Sequence, residues 1–387
     1  MKKTLAAVAV LGAFAGSALA ADVQLYGIVD LGLGISHVDG DGAVNSDGVA
    51  VQDSDSFSMK SGQASGSRWG IKGTEDLGNG LTVGFILEDG FDADDGSEDS
   101  TDVMFNRESS LFIEGNFGKF AMGRIGSINN GQSSWAKVGM INAFGTSDWG
   151  GYSVNVGNVM STAGQWDNMI AYQTPDFAGF KVYAQYGMGS TTENESGNDR
   201  YYAIGATYNN GPFAAYLAVD SVNYASWVNN QAIDTDDSLT VTLGGSYDFD
   251  VVKVYLGAQY FDEVKLTSIG GVTKAVYGKT ITDTYKVKGY GLSLTGDAPL
   301  AGGKAMFGVA YTDAEVADSF EMNGMNDLDL KRYVVSVGYD YPFSKRTDLY
   351  AIASYMQDQV ESKFLGTADQ DRDLSAYTFY VGLRHKF

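Results

Sequence analysis

Few groups in this chain could move a proton or hold a metal. Its 387 residues include two histidines and no cysteine. His37 falls in an expected loop and His385 on the apolar face of the last strand-like segment, so neither imidazole is placed for general acid–base or triad chemistry. No metal-ligand cluster, phosphate-cradling loop or nucleophile elbow occurs, and the scattered Gly-x-Gly pieces lie inside strand-like segments. Catalytic, cofactor-binding and metal-binding residues are therefore expected to be none. What remains is chemistry without bond breaking: fixed charges and aromatic faces. Arg68 and Lys72 flank Gly70 at a spacing that puts both on one face of a strand, with Trp69 and Ile71 on the other. Arg107 lies two residues from Ser109 on a polar face, and Trp135, Phe144, Trp149 and Tyr152 crowd one glycine- and serine-rich stretch.

The elements that must position these groups repeat every two residues. At the end of the chain Tyr377, Phe379, Val381, Leu383, His385 and Phe387 alternate with Thr378, Tyr380, Gly382, Arg384 and Lys386, the pattern of a strand with one greasy and one wet side. A chain that stops on such a strand must pair it inside the structure. The first strand, opened by Val23, Leu25, Val29 and Leu31 against Gln24 and Asp30, is the natural partner and would close a barrel. Short connections fall at 75–80, 116–118, 175–179, 209–212, 248–250, 298–303 and 342–346. Longer ones, rich in Asp, Ser, Asn and Gly, fall near 36–56, 92–102, 126–164, 189–198, 224–237, 263–284, 316–329 and 359–374. Seven turns and eight loops join sixteen strands, an even number that returns both termini to one side. The expected fold is all-β: a transmembrane, antiparallel, up-and-down barrel.

Lys2 and Lys3, the apolar run Leu5 to Ala15 and the small residues Ala18-Leu19-Ala20 read as a secretory signal peptide. Residues 1–20 are expected to be cleaved, leaving 21–387 as one domain, and the run is too short for a spanning helix of ~20 residues. Its loss moves the net charge from −22 to about −24, since two lysines and no acids leave with it. No later run could span a membrane as a helix, and mean hydropathy is −0.14. The acidity excludes a nucleic-acid partner, which needs a basic face. Fifty glycines, 24 tyrosines and 20 phenylalanines with only four prolines suit many turns and aromatic girdles. A dry barrel of this size would need an apolar filling, whereas these strands offer Gly, Ser, Thr, Gln, Arg and Asp on one face. A wet lumen and a lipid-facing outer band satisfy both faces.

Further motifs carry a family resemblance: Val23-Gln24-Leu25-Tyr26-Gly27, the run from Ser67-Arg68-Trp69-Gly70 to Gly78-Asn79-Gly80-Leu81, Asn106-Arg107 with Gly115-Asn116-Phe117-Gly118-Lys119-Phe120 and Met122-Gly123-Arg124, then Asp167-Asn168, Ile170, Tyr172, Pro175, Gly179-Phe180 and the aromatic end. In order and spacing these resemble the general trimeric porins of Gram-negative outer membranes, over nearly the whole mature chain. The resemblance implies a homotrimer of sixteen-stranded barrels in the cell outer membrane, surrounded by lipid and lipopolysaccharide. Each barrel would pass small hydrophilic solutes by diffusion, and the last strand ending in Phe387 would be presented to the barrel-assembly machinery. It also implies that the third external loop, from about Gly126 to Gly164, folds inward and narrows the pore.

On the same resemblance Arg68, Lys72 and Arg107 match basic wall positions of the constriction, with Arg124 and Lys119 as further basic candidates. The chain departs from the pattern where Ile28 replaces a wall lysine with Asp30 two residues on, where Gln165 or Trp166 stands for an arginine, and where Ala143 thins the loop's acidic pair to Asp148. Both halves of the transverse field are weakened, and the net acidity then predicts mild cation preference. A sugar-selective porin using the four aromatics as stacking faces is an open alternative. So is a structural or adhesive barrel with a blocked lumen, and an outer-membrane hydrolase is the rival that the histidines argue against. The acidic runs Asp92-Ala93-Asp94-Asp95 and Asp234-Thr235-Asp236-Asp237 could bridge Ca²⁺ to lipid phosphates or be solvated.

Overall fold

The computed structural model describes residues 21–40, 53–100, 102–189, 198–225, 227–228, 231–232, 236–265, 269, 286–317, 325–364 and 370–387. The expected leader at 1–20 and parts of the long loops, including Asp234 and Thr235, lie outside the described residues.

Alternating segments pair with their sequence neighbours, each antiparallel, into a sheet of seventeen hydrogen-bonded segments. Two of these, Ser54–Ser61 and Arg68–Gly78, lie end to end against the first strand, Ala21–Asp39, and make one crossing. Among the described residues the barrel therefore has sixteen strands. It closes where the first strand pairs with the last, Gln370–Lys386, in a ladder from Ile28↔Lys386 to Asp39↔Ser375. The Phe387 amide donates to the Gly27 carbonyl and the Gly27 amide to Phe387, so no strand edge is left unpaired there. All seven short connections form where the turn residues placed them. At Gly118, with φ of 102°, a Cβ would strike the Gln173 carbonyl, which is why only glycine suits that turn.

The two faces are inverted relative to a protein folded around a dry core. Along Lys286–Leu300, Leu292 and Leu294 are 43% and 50% exposed while Ser293 and Thr295 between and beyond them are 2% and 1% exposed. Leu217, Leu243, Leu256, Val309 and Val335 repeat the outward apolar pattern, and Thr242, Gln259, Thr312 and Ser336 the inward polar one. A sheet that turns leucine outward and threonine inward is built for an apolar surround.

Segment 127–164 carries a short 3-10 turn at Val138–Ile141 and one helical turn at Val156–Val159. Its backbone is hydrogen-bonded to inward polar side chains of distant strands. The Ala143 amide donates to Thr295 Oγ1 (2.9 Å), Val154 to Ser336 Oγ (2.9 Å) and Ser161 to Gln259 Oε1 (2.7 Å), while Thr312 Oγ1 donates to the Val159 carbonyl (2.9 Å). Val154, Val156, Val159 and Ile141 are fully buried.

One expected loop is shorter than its expected bounds. The strands Thr347–Phe364 and Gln370–Lys386 run on into 359–374 from both sides, and Val360 pairs with Arg372. The ladder satisfies its own backbone, so polar side chains such as Asp358 and Asp373 do not end it.

Candidate functional site

The second strand supplies the site's most unusual local structure. Between Ser61 and Arg68 the chain leaves the ladder opposite Val29 and Asp30, and residues 62–67 form a bulge. Asp30 holds it: Oδ2 accepts the Ala64 and Ser65 amides at 2.8 and 2.7 Å, and Oδ1 accepts the Tyr350 hydroxyl at 2.6 Å. Arg384 braces the same bulge by donating to Ser65 Oγ at 2.8 Å, while its other arms meet Asp348 and Asp340. The bulge in turn docks segment 127–164. Gln63 accepts the Trp149 amide on its carbonyl and the Gly150 amide on Oε1, both at 2.8 Å.

The bulge and the docked segment border a cavity of about 380 Å³ whose charged lining residues are Arg68, Arg107, Asp92, Asp99 and Asp148. Glu88 is shared behind the two guanidiniums. It accepts from Arg107 Nε at 2.8 Å and from the Tyr26 hydroxyl at 3.0 Å, and lies 3.6 Å from Arg68 Nε. One carboxylate against two cations leaves a positive remainder beside Glu88, and Asp99 shares that side of the cavity, since its carboxylate and the Arg107 side chain both flank Gly90. Burial, and then the neighbouring charges of Asp99, Asp94 and Asp95, push the Asp92 carboxyl above its usual range. Such an arrangement gathers fixed charges of both signs around one gap.

Of the residues singled out in the sequence, the fold brings Arg68, Arg107 and Asp148 to the cavity. Lys72 is exposed two steps along the same strand face, past Gly70, its ammonium 5.1 Å from the centre of the Tyr26 ring. Arg124 is elsewhere, donating to the Asn106 carbonyl at 2.7 Å and to Asp167 at 2.5 Å. Asp30, expected as a pore-constriction charge, is fully buried and outside the cavity lining, with one carboxylate oxygen on the bulge amides and the other on the Tyr350 hydroxyl, the geometry of a buttress. Arg107 reaches the cavity for a reason different from strand alternation. It precedes the strand Glu108–Gly115, whose Ser109 shares a parity with the exposed Leu111, and the bend after Phe105, with φ of 58°, turns its side chain to Glu88.

The aromatic candidates pack. Trp135, Phe144 and Trp149 are 3%, 2% and 5% exposed, Trp149 Nε1 donates to the Phe144 carbonyl at 2.6 Å, and its ring meets Phe144 and Tyr350 edge-on at 6.2 and 5.5 Å. Tyr152 is half-buried. These rings form the inner seam of segment 127–164 and leave little face for a stacked sugar. His37 bonds Asp55 and stacks on Tyr377, and His385 bonds Thr347; they belong to opposite ends of the barrel.

Three residues that sequence reasoning passed over matter here. Glu88 follows Thr82, Gly84 and Ile86 on the inward face of Leu81–Gly90, a signal available from parity. Glu108 accepts the Ser134 amide at 2.8 Å and the Ser133 hydroxyl at 3.2 Å, pinning the start of the segment. Arg332 pins its end at the Asn158 carbonyl (2.8 Å).

A family model described as Gram-negative porin matches residues 6–360. An outer membrane porin protein of Bordetella pertussis is 33% identical with all of both chains covered, and outer membrane porin protein 32 of Delftia acidovorans is 28% identical with the same coverage. Among solved structures, an anion-selective porin from Comamonas acidovorans superposes with a TM-score of 0.66 at 25% identity, over 95% of this chain and 100% of that one. OmpT of Vibrio cholerae, in its trimer form, does so with a TM-score of 0.59 at 15% identity over 95% of this chain and 100% of that one; this second likeness is one of fold.

Proposed function

The chain belongs to the Gram-negative porin family and is an outer-membrane β-barrel, and from that premise we propose that it is a general diffusion porin passing small hydrophilic solutes and ions, not an enzyme. The observation that carries this reading is a cavity of about 380 Å³ whose lining includes charges of both signs, Arg68 and Arg107 with Asp92, Asp99 and Asp148. Segment 127–164 lies in the lumen and sets the narrowest passage; its backbone bonds to Thr295, Ser336, Gln259 and Thr312 support that placement, since those side chains belong to the inward face. Irregular backbone is tolerated there because it is wetted or paired with protein.

The ion preference is mildly cationic. Glu88, Asp92, Asp99 and Asp148 outnumber Arg68 and Arg107 around the cavity, and the whole chain is acidic, so cations are drawn in where low-dielectric walls focus the field. The solved relative titled anion-selective makes the sign of this preference the point to measure. Three barrels assemble as a homotrimer in lipid and lipopolysaccharide, residues 1–20 serve as the export leader, and the strand ending in Phe387 is read by the barrel-assembly machinery. The buried Trp135, Phe144 and Trp149 weigh against a sugar-selective pore.

Planar-bilayer reconstitution tests the reading: large ohmic steps with a reversal potential favouring K⁺ in a KCl gradient are expected. Folded, heat-modifiable protein that gives no steps would sink the diffusion-pore reading in favour of an adhesive barrel.

A further inference from the structure

The cavity draws on two kinds of residue. Its charges, Asp148 apart, come from Arg68, Asp92, Asp99 and Arg107, outside segment 127–164, whereas the segment itself contributes the uncharged Gly131, Gln132, Thr146 and Ser147. Gly131 and Thr146 belong to separate spans, each tied down at both ends. Gly131 lies midway between Ile128, whose amide donates to Gln185 Oε1 at 2.8 Å, and Ser134, whose amide donates to Glu108 at 2.8 Å. The Lys137 amide closes this span onto the Ile128 carbonyl at 3.0 Å. Thr146 lies midway between Ala143, held by Thr295, and Trp149, held by Gln63. Short spans anchored at both ends swing little, so where they meet their separation is a matter of local packing.

They meet at Gly131 and Thr146. Thr146 Oγ1 lies 3.4 Å from the Gly131 carbonyl, too long for that bond to hold the pair by itself. The fit is steric. A Cβ built on Gly131 would stand 2.4 Å from both Cβ and Oγ1 of Thr146 and 3.3 Å from its Cγ2, and these are its three nearest neighbours. Against an ordinary carbon contact of ~3.5–4.0 Å, a side chain at 131 forces the spans about 1 Å apart. Gly131 is not among the glycines of positive φ, so this glycine answers to space and not to backbone conformation. Gly139, also beside Thr146, has room: its Cβ would meet Thr146 Cγ2 and the Gly145 Cα at 3.9 Å.

We propose that the Gly131–Thr146 contact sets the size limit of the pore for neutral solutes, as a specificity-determining pair distinct from the charges that weigh ions. This role rests on segment 127–164 lying across an open pore and deepens that reading. Uncharged atoms fixed by packing exclude by diameter and not by sign, so size selection and charge selection are separable by substitution.

The test compares swelling of liposomes holding the full mature chain in arabinose, glucose, sucrose and raffinose, each rate divided by that in arabinose, beside reversal potentials in a KCl gradient. Heat-modifiable migration checks the folding of each variant. Thr146→Gly is expected to raise the sucrose and raffinose ratios by roughly two- to fivefold, and Gly131→Ala, which forces the spans into the gap they line, to lower them by a similar factor. In the double variant Gly131→Ala, Thr146→Gly the added methyl no longer strikes Thr146, so the ratios should match those of Thr146→Gly alone. Gly139→Ala, an equal methyl placed where there is room, should leave them at wild-type values. None of these substitutions alters charge, and the reversal potential should stay at the wild-type value throughout. Unchanged ratios in Thr146→Gly, a Gly131→Ala effect that persists undiminished beside Thr146→Gly, or a reversal potential that moves with the ratios would each overturn the pair while leaving the porin reading in place. Thr146→Gly decides alone if Gly131→Ala does not fold. Folded wild-type chain that gives no swelling even in arabinose would overturn the porin reading instead.

Discussion

Arg332 and Asp358, register partners on neighbouring strands, form a fully buried bidentate pair, Nε and Nη2 each donating at 2.7 Å to one carboxylate oxygen. The remaining arm, Nη1, donates to the Asn158 carbonyl at 2.8 Å. The pair thus joins the wall to the helical turn Val156–Val159, whose amide end is capped by Asn155 through Asn158. A planar guanidinium satisfied on three sides fixes position in a way a lysine could not.

Asp358→Ala should therefore cost about 3–5 kcal/mol, the penalty of leaving a buried cation without its partner. The unfolding midpoint in the heat-modification gel should fall, and single-channel current should become noisier as the Asn158 anchor loosens. A variant with unchanged midpoint and quiet current would show that the anchor contributes nothing.

Glu88 governs the sign of the basic wall. Glu88→Gln keeps the hydrogen bond from Tyr26 and removes the charge shared by Arg68 and Arg107. The reversal potential in a KCl gradient should move toward chloride, and Arg68→Gln should move it the other way. Shifts in the same direction from both variants would exclude electrostatic control by this wall.

Acid should erode cation preference earlier than an ordinary carboxylate would allow. Asp92 is pushed upward by burial and by Asp99, Asp94 and Asp95, so its charge is present above that raised value and is lost as pH falls through it. K⁺ preference should thus decline on acidification while pH is still above the usual carboxylate range of about 4. Asp92→Asn should start lower and flatten that decline. A wild-type profile identical to that of Asp92→Asn would remove Asp92 from the selectivity wall.

Period-two alternation and turn residues made the barrel, its closure and its short turns legible in sequence, because a strand's two faces are written in neighbouring residues. The same rule located Arg68 and would have located Glu88. It could not place Arg107, which lies before its strand and is aimed by the backbone at Phe105. Nor could it tell that Trp135, Phe144 and Trp149 pack instead of lining a surface, since that depends on strands more than a hundred residues away, such as Tyr350 against Trp149. Asp30 is the sharpest case. Parity turned it inward correctly, but its partners are amides of a bulge whose residues, Gly62-Gln63-Ala64-Ser65-Gly66-Ser67, read like any other loop.

The two meanings of Asp30, pore charge or buttress, give opposite results on substitution. A charge facing the pore would, on Asp30→Asn, lower K⁺ preference and leave the gap unchanged. The geometry demands the reverse. An asparagine offers one acceptor oxygen where the carboxylate accepts the Ala64 and Ser65 amides and the Tyr350 hydroxyl, so at least one buried donor loses its partner at about 1–3 kcal/mol. The bulge 62–67 then loosens, and with it the Gln63 bonds to Trp149 and Gly150. Conductance should change and exclusion of larger neutral solutes relax, while the reversal potential stays near that of the wild type. Tyr350→Phe, which removes one donor without touching any charge, should reproduce the change in weaker form. A shift of reversal potential in Asp30→Asn without change in solute exclusion would restore Asp30 to the pore wall.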